Sequence, residues 1–384
     1  MVRSTFVRVA LVGPSWPHRG GIARTTTELA RGLDEGGHLA AFLVPRSQYP
    51  SWLYPGRSDS DPEACPKVER AEPCFGVLEP WTWHGPVRRL REAGPDALVV
   101  PYWTAAWAPL ALWLLAESAA APIAIVHNPA DHDSGWFSRR LAHEVLSRCR
   151  GFLCHSRSIA DQLRAKFPAA ALAVHPLPAG EVVPLDRAQA RHRLGVAPDS
   201  VAVLFFGLVR PYKGVDVLLD AIASLPAGSP IVLLLAGEPW GRARRTLERR
   251  LAEPQLSGRV VAQLSWVPER EAAVWFSAAD AVVLPYRTAT GSAVAASALA
   301  YGLPVIGSGV GGLQEVITEG VNGLLVPPGR PEDLAAALSR AGDRTLLARL
   351  AEGARTSMAQ WNWRSYAATL VDLTGRVVET SSKR

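Results

Sequence analysis

Cysteine and methionine are scarce in this 384-residue chain, with four of one and two of the other. Cys65, Cys74, Cys149 and Cys154 have neither the number nor the spacing of a disulfide scaffold or a zinc knuckle. They read as reduced thiols of a cytoplasmic protein. A dominant charge of one sign is also missing. The net charge is +6 and both halves of the chain share the excess, a mild imbalance that does not imply nucleic acid, and none is expected as a partner. It suits an anionic small molecule, or peripheral contact with the anionic inner face of a membrane. Long apolar runs are lacking too. Residues 105–124 come nearest, but Glu117 and Pro122 interrupt them, so they read as a buried helix followed by a strand. The apolar run at 9–12 is too short for a signal-peptide core. There is no short-period glycine repeat and no G-x-G-x-x-G fingerprint, which excludes collagen-like structure and the usual nicotinamide loop.

What is present is an average apolar share of 48%, punctuated by 32 Gly and 31 Pro, with 13 Trp. This length suits two domains, each with its own core. Strand patterns fall at 7–13, 38–44, 97–102, 123–127, 151–155 and 172–175. Helical patterns lie at 22–34, 87–93, 105–117, 136–146 and 158–166. Short apolar runs alternating with helices predict βαβ units and a parallel sheet. Residues 45–79 show no clear period and read as a functional loop. Residues 176–187, rich in Pro, read as a linker. A second series then begins, with strands at 201–207, 231–236, 260–264, 281–285, 304–307 and 323–326, and helices at 332–341 and 344–358. An amphipathic helix at 361–378 ends the chain. The expected domains are residues 1–182 and 183–360, with residues 361–384 packing back on the first.

Four strand-end segments carry candidate chemistry, because ligands of open α/β sheets bind beyond the carboxyl ends of strands. Gly20 and Gly21 precede the first helix and let an anion approach the backbone. Arg210 and Lys213 stand between Gly207 and Gly214, placed to meet a diphosphate. Thr290, Gly291, Ser292, Ala293 and Val294 run into a helix, where Thr290 and Ser292 are candidate caps. His127, Asn128, Asp131 and His132 cluster after a strand. Nothing in the spacing of His127, Asp131 and His132 fixes a metal geometry, so no metal is expected. Eight of the Trp lie in the first half. Trp103 and Trp107 among them are read as shaping an acceptor side, since aromatic faces stack on sugars and apolar groups alike.

The strongest patterns are Phe205-Phe206-Gly207 through Lys213-Gly214-Val215-Asp216, then Ala298-Leu299-Ala300-Tyr301-Gly302-Leu303-Pro304, Gly311-Gly312-Leu313-Gln314-Glu315 and Gly323-Leu324-Leu325-Val326-Pro327. Together with Gly20-Gly21-Ile22-Ala23, they resemble the retaining GT-B glycosyltransferases of family 4 over nearly the whole chain. The resemblance implies an α/β fold of two Rossmann-like domains with parallel sheets facing across a cleft, and a last helix crossing back to the first domain. It implies a hexosyl or related transfer from a nucleoside-diphosphate sugar to a hydroxyl, without a metal or other cofactor. In that reading Arg210 and Lys213 hold the diphosphate and Gly21 admits the donor. His127 lies near the transferred sugar, and Ser265, Trp266 and Val267 face the nucleobase. The acceptor is a polysaccharide intermediate, a lipid carrier or a natural product. One departure stands out. Many members carry two Glu eight residues apart, and the matching positions here are Ala289 and Ser297. That departure leaves three alternatives open: a pseudo-glycosyltransferase, a nucleotide-sugar epimerase, or an inactive nucleotide-sugar-binding subunit.

Overall fold

The structure, a computed structural model, describes residues 6–48, 60, 68, 70–129, 135–180, 182–239, 243–357 and 361–381. The chain divides into two compact units, residues 1–176 with 361–384, and residues 177–360.

The first unit is built on β1 (Val9–Val12), β2 (Leu39–Pro45), β3 (Ala71–Phe75), β4 (Ala97–Tyr102), β5 (Ala121–Val126), β6 (Gly151–Cys154) and β7 (Ala171–Val174). They form one parallel sheet in the order β3-β2-β1-β4-β5-β6-β7. The second unit holds β8 (Val201–Phe206), β9 (Ile231–Ala236), β10 (Val260–Gln263), β11 (Ala281–Leu284), β12 (Val305–Ser308) and β13 (Gly323–Val326). Their order is β10-β9-β8-β11-β12-β13, again parallel. Strands buried on both faces explain the near-continuous apolar runs such as Ala97–Tyr102, in which every residue is buried. In each sheet the strand order reverses next to the first strand, between β1 and β4 and between β8 and β11. Those reversals are the crevices where such sheets accept ligands.

Two elements depart from the sequence pattern. β3 lies inside the stretch read as a loop. Its sequence, Ala-Glu-Pro-Cys-Phe, carries a Pro and a charge that hide it, and both are tolerated because β3 is an edge strand. The helix Arg187–Leu194 follows the expected linker without an apolar face of its own. It is held instead by Arg191, which is buried, donates to the carbonyls of Ala278, Pro198 and Ser200 at 3.1, 2.9 and 3.1 Å, and pairs with Asp280.

The last helix, Trp363–Ser381, belongs to the first unit. Tyr366, Leu370, Leu373 and Val377 join the core formed by Val9, Leu11, Ile123 and Leu153. No helix among the described residues is long and apolar enough to cross a membrane. Cys149 and Cys154 are buried, and burial pushes both thiols up to about 12. Cys65 lies outside the described residues.

Because Leu370 is fully buried between this helix and the sheet, Leu370→Ala is expected to destabilise the first unit by about 2–5 kcal/mol in denaturant unfolding. A loss below about 1 kcal/mol would contradict the packing.

Candidate functional site

In the second unit the chain leaves β8 through Gly207 and makes a 3-10 turn, Pro211–Lys213, before the helix Val215–Ser224. Gly214 joins turn to helix at φ +66°, and a Cβ there would lie 2.0 Å from the Pro285 carbonyl oxygen. Only glycine fits both constraints. The turn is clamped from β11's side. Arg287 donates its backbone N–H to Tyr212 O (2.7 Å), one guanidinium N–H to Pro211 O (2.7 Å), and a fork to Asp216 (2.9 and 2.6 Å). Burial opposes ionisation of Asp216, but the Arg287 fork and backbone N–H groups outweigh it and hold the carboxyl below its ordinary value.

This clamp seats Lys213 inside the protein. Its side chain is 9% exposed, and Nζ sits 5.6 Å from the Tyr286 ring centroid. Burial, and then the neighbouring Arg210, lower its pKa to about 8. Tyr286 is itself buried, which pushes its hydroxyl well above the usual range, while a hydrogen bond with Ser292 pulls the other way. Ser292 also caps the helix Ala293–Ala300, accepting from Ala295 N at 3.2 Å. Ser292 is the N-cap residue of that helix. Lys213 Nζ and Val294 lie 3.4 and 3.9 Å from where a Gly207 Cβ would be. The structure therefore gathers Gly207, Lys213, Tyr286, Ser292 and Val294 at the β8–β11 reversal, with Arg210 opening the turn. Gly291 and Ala293 are exposed beside them. Ala289 is held by its carbonyl, which accepts from Gly312 N at 3.2 Å. Ser265, Trp266 and Val267 follow the edge strand β10, with Ser265 exposed, Trp266 half-buried and Val267 buried.

In the first unit Gly20 stands at φ +109° ahead of the helix Gly21–Glu35, with no atom within 4 Å of where a Cβ on Gly20 or Gly21 would sit. The first turn carries no acidic residue, so this open helix start suits an anion. His127 is the residue after β5 and is 8% exposed. Its Nδ1 is 3.0 Å from Nε2 of His155, and its own Nε2 is buried without a partner. Burial, then His155, hold His127 well below its ordinary pKa, and burial lowers His155 to about 4. Both rings are neutral near pH 7. Asn128 is half-buried next to them. Asp131 and His132 lie outside the described residues. Trp103 and Trp107 are core residues, 4.6 Å apart at their ring centroids, with Trp107 edge-on to Phe75. Among the described residues Trp81 and Trp136 are the more exposed indoles, at 75% and 70%.

Sequence reasoning missed His155, His175, Tyr286 and the Arg287–Asp216 clamp. The histidines had a signal: each of His127, His155 and His175 directly follows an apolar strand. Among the described residues no group of three or more His, Cys, Asp or Glu is placed to hold a metal. A cavity of about 490 Å³ in the second unit lies elsewhere, at the amino ends of the strands, among Arg187, Asp280, Tyr301, Arg344 and Arg355. Charge and strand ends, not cavity volume, define the candidate site.

Comparison with known proteins follows the same division. Residues 19–180 match the model of Glycosyltransferase Family 4, and residues 200–343 match that of Glycosyl transferases group 1. A D-inositol 3-phosphate glycosyltransferase of Xylanimonas cellulosilytica is 34% identical over 244 residues, covering 60% of this chain and 58% of that protein. One of the same name from Jonesia denitrificans is 38% identical over 192 residues, covering 47% and 45%. The chain spans about half the length of the curated relatives it matches. Among solved structures, sucrose-phosphate synthase of Thermosynechococcus elongatus superposes with a TM-score of 0.78 at 21% identity, covering 97% of this chain and 100% of that one. Anabaena HepE in complex with UDP-glucose gives 0.71 at 18%, covering 98% and 100%. With one family model on each unit and this two-sheet architecture, the chain belongs to the family 4 glycosyltransferases of the GT-B fold.

Proposed function

We propose that the protein transfers a glycosyl group, with retention and without a metal, from a nucleoside-diphosphate sugar to an acceptor hydroxyl. The observation that carries this reading is the buried Lys213 cation beside Arg210 at the end of β8, where burial and a like charge both disfavour it. An anion of high charge density relieves both. The diphosphate of a nucleotide sugar has that charge, and two fixed cations supply what a leaving diphosphate needs. Anabaena HepE has been solved with UDP-glucose, which makes UDP-sugars the first donors to test. The curated relatives' name makes D-inositol 3-phosphate the first acceptor.

In this mechanism the bond from the anomeric carbon to the diphosphate oxygen breaks as the acceptor oxygen bonds to the same face. The acceptor proton passes to the departing diphosphate oxygen. Ala289 and Ser297 offer no carboxylate for a covalent intermediate, which favours this single front-face displacement. Gly20 and Gly21 admit the donor, and neutral His127 meets the sugar. The reaction runs in the cytoplasm. Trp136 and Phe137, 70% and 61% exposed beside Arg139 and Arg140, suit peripheral contact with an anionic membrane face.

Incubation with a panel of UDP-, GDP- and ADP-sugars, with and without D-inositol 3-phosphate, is read by released nucleoside diphosphate. Turnover with at least one donor is expected. Tight donor binding with no turnover would leave an inactive binding subunit instead. Lys213→Ala is expected to lower kcat by about 10²–10³-fold, as for loss of one charge-stabilising donor. Unchanged turnover would refute the phosphate assignment.

The Lys213 pKa adds a pH test. A bound diphosphate raises it, so binding takes up a proton once the free lysine has begun to deprotonate. UDP affinity, measured by calorimetry, is therefore level below about pH 8 and falls as pH rises through it. Lys213→Arg, which stays charged, should abolish the fall. A profile identical in both proteins would refute the linkage.

A further inference from the structure

The cavity of about 490 Å³ lies at the amino ends of the second unit's strands. It is therefore at the opposite end of β11 from Tyr286 and Arg287. Two helices wall it. Arg187 opens the helix Arg187–Leu194, and Arg344, Leu347, Ala348, Ala351 and Arg355 come from the helix Arg344–Ser357. Steps of three and four place those five on one helix face, with a cation at each end and apolar or small residues between. Tyr301, stacked on Phe276 (centroids 5.0 Å, planes 19° apart), closes the cavity beside Gly302. The volume is that of a small-molecule site.

The charge at the Arg344 end is unbalanced. Among the described residues Asp280 is the one acidic residue in the lining. Its carboxylate is already engaged: it accepts from Ala202 N at 2.7 Å and pairs with both Arg187 and the buried Arg191. Arg344 donates to a neutral group, the Asp199 carbonyl, at 2.6 Å. Three guanidiniums thus gather around one carboxylate. Arg191 registers the crowding. Burial lowers its pKa, Asp280 raises it, and Arg187 and Arg344 each lower it again. The carboxylates next in sequence are turned to other work. Asp186 and Asp343 accept from the starts of their own helices, Gln189 N and Thr345 N, each at 2.8 Å. Glu352 forks Arg355, at 3.0 and 2.6 Å.

We propose that this cavity is a binding site for a phosphate monoester, with the phosphate held by Arg187 and Arg344 and the apolar or ring portion lying along Leu347, Ala348 and Ala351. It involves neither Lys213 nor Arg210, and it stands apart from the transfer reaction. A phosphate monoester carries close to two negative charges near neutral pH, which matches the local excess. Guanidinium forks meet phosphate oxygens in pairs. Arg187 and Arg344 are both exposed, so they reach a solute without a charge first being unburied. Inorganic phosphate would leave the apolar stretch of the helix face uncovered, and a neutral ring would leave the cations unmatched.

Phenyl phosphate is the probe, titrated into the whole protein by calorimetry, with inorganic phosphate and phenol as its two halves. Phenyl phosphate is expected to bind more tightly than either half. Arg344→Gln should weaken it about tenfold or more, as loss of a charged hydrogen-bond donor does. Ala348→Trp, which sets an indole into the cavity, should abolish binding. Both positions are exposed, so both variants are expected to fold, and thermal unfolding checks that they do. Lys213→Ala should leave the affinity unchanged, which separates this site from the one at the end of β8. No binding of phenyl phosphate overturns the proposal. So does phenol or inorganic phosphate binding as tightly, binding unaltered in the folded Arg344→Gln and Ala348→Trp proteins, or binding lost in Lys213→Ala.

Discussion

Lys213 is a cation held where charge is expensive. It is buried, stands next to Arg210, and has been drawn down to a pKa of about 8 by those two circumstances together. Proteins do not keep such groups for stability, because burying an ion without a counter-ion costs more than packing returns. Much of the second unit's local structure serves to hold it there. Gly214 turns the chain where a side chain would strike the Pro285 carbonyl. The Arg287–Asp216 fork locks the turn to the following helix. The Tyr286 face lies under the ammonium group, and the electron-rich ring partly offsets the lost hydration. In the proposed reading, a bound diphosphate offsets the charge that Lys213 and Arg210 concentrate at the end of β8.

The first unit works with the opposite material. Its candidate groups are neutral: an open glycine pair ahead of a helix, and histidines kept uncharged by burial. Fixed charge suits a leaving diphosphate, whose charge grows during transfer. Neutral hydrogen-bonding groups suit hydroxyls, which must be oriented without being strongly solvated. The last helix contributes to this by closing the core with Leu370 and Leu373 and by setting Tyr366 against His155 and His175.

What could be read from the residues depended on how local their cause is. Strands such as Ala97–Tyr102 and Val201–Phe206 announce themselves because burial on both faces demands an unbroken apolar run. Arg210 and Lys213 stood out as candidates because they lie between two glycines at a strand–helix junction. β3 was hidden by Pro73, which only an edge position permits. The helix Arg187–Leu194 was hidden because a single buried arginine replaces an apolar face. Tyr286 and Arg287 matter through contacts with a turn more than 70 residues earlier in the chain, and no local pattern encodes that. Trp103 and Trp107 lie in the core of the first unit, where a bulky ring near a strand end serves packing. His155 and His175 needed the strand register to be seen as neighbours of His127.

The central claim is that Lys213 carries an abnormal proton that a diphosphate restores. The chain has four lysines, Lys67, Lys166, Lys213 and Lys383, so side-chain NMR of lysine-labelled protein resolves them individually. One signal, absent from Lys213→Arg, should titrate near pH 8 in the free protein. With saturating UDP it should move up toward the ordinary lysine range, about 10.4. Four lysines all titrating normally, or a Lys213 signal indifferent to UDP, would contradict the account.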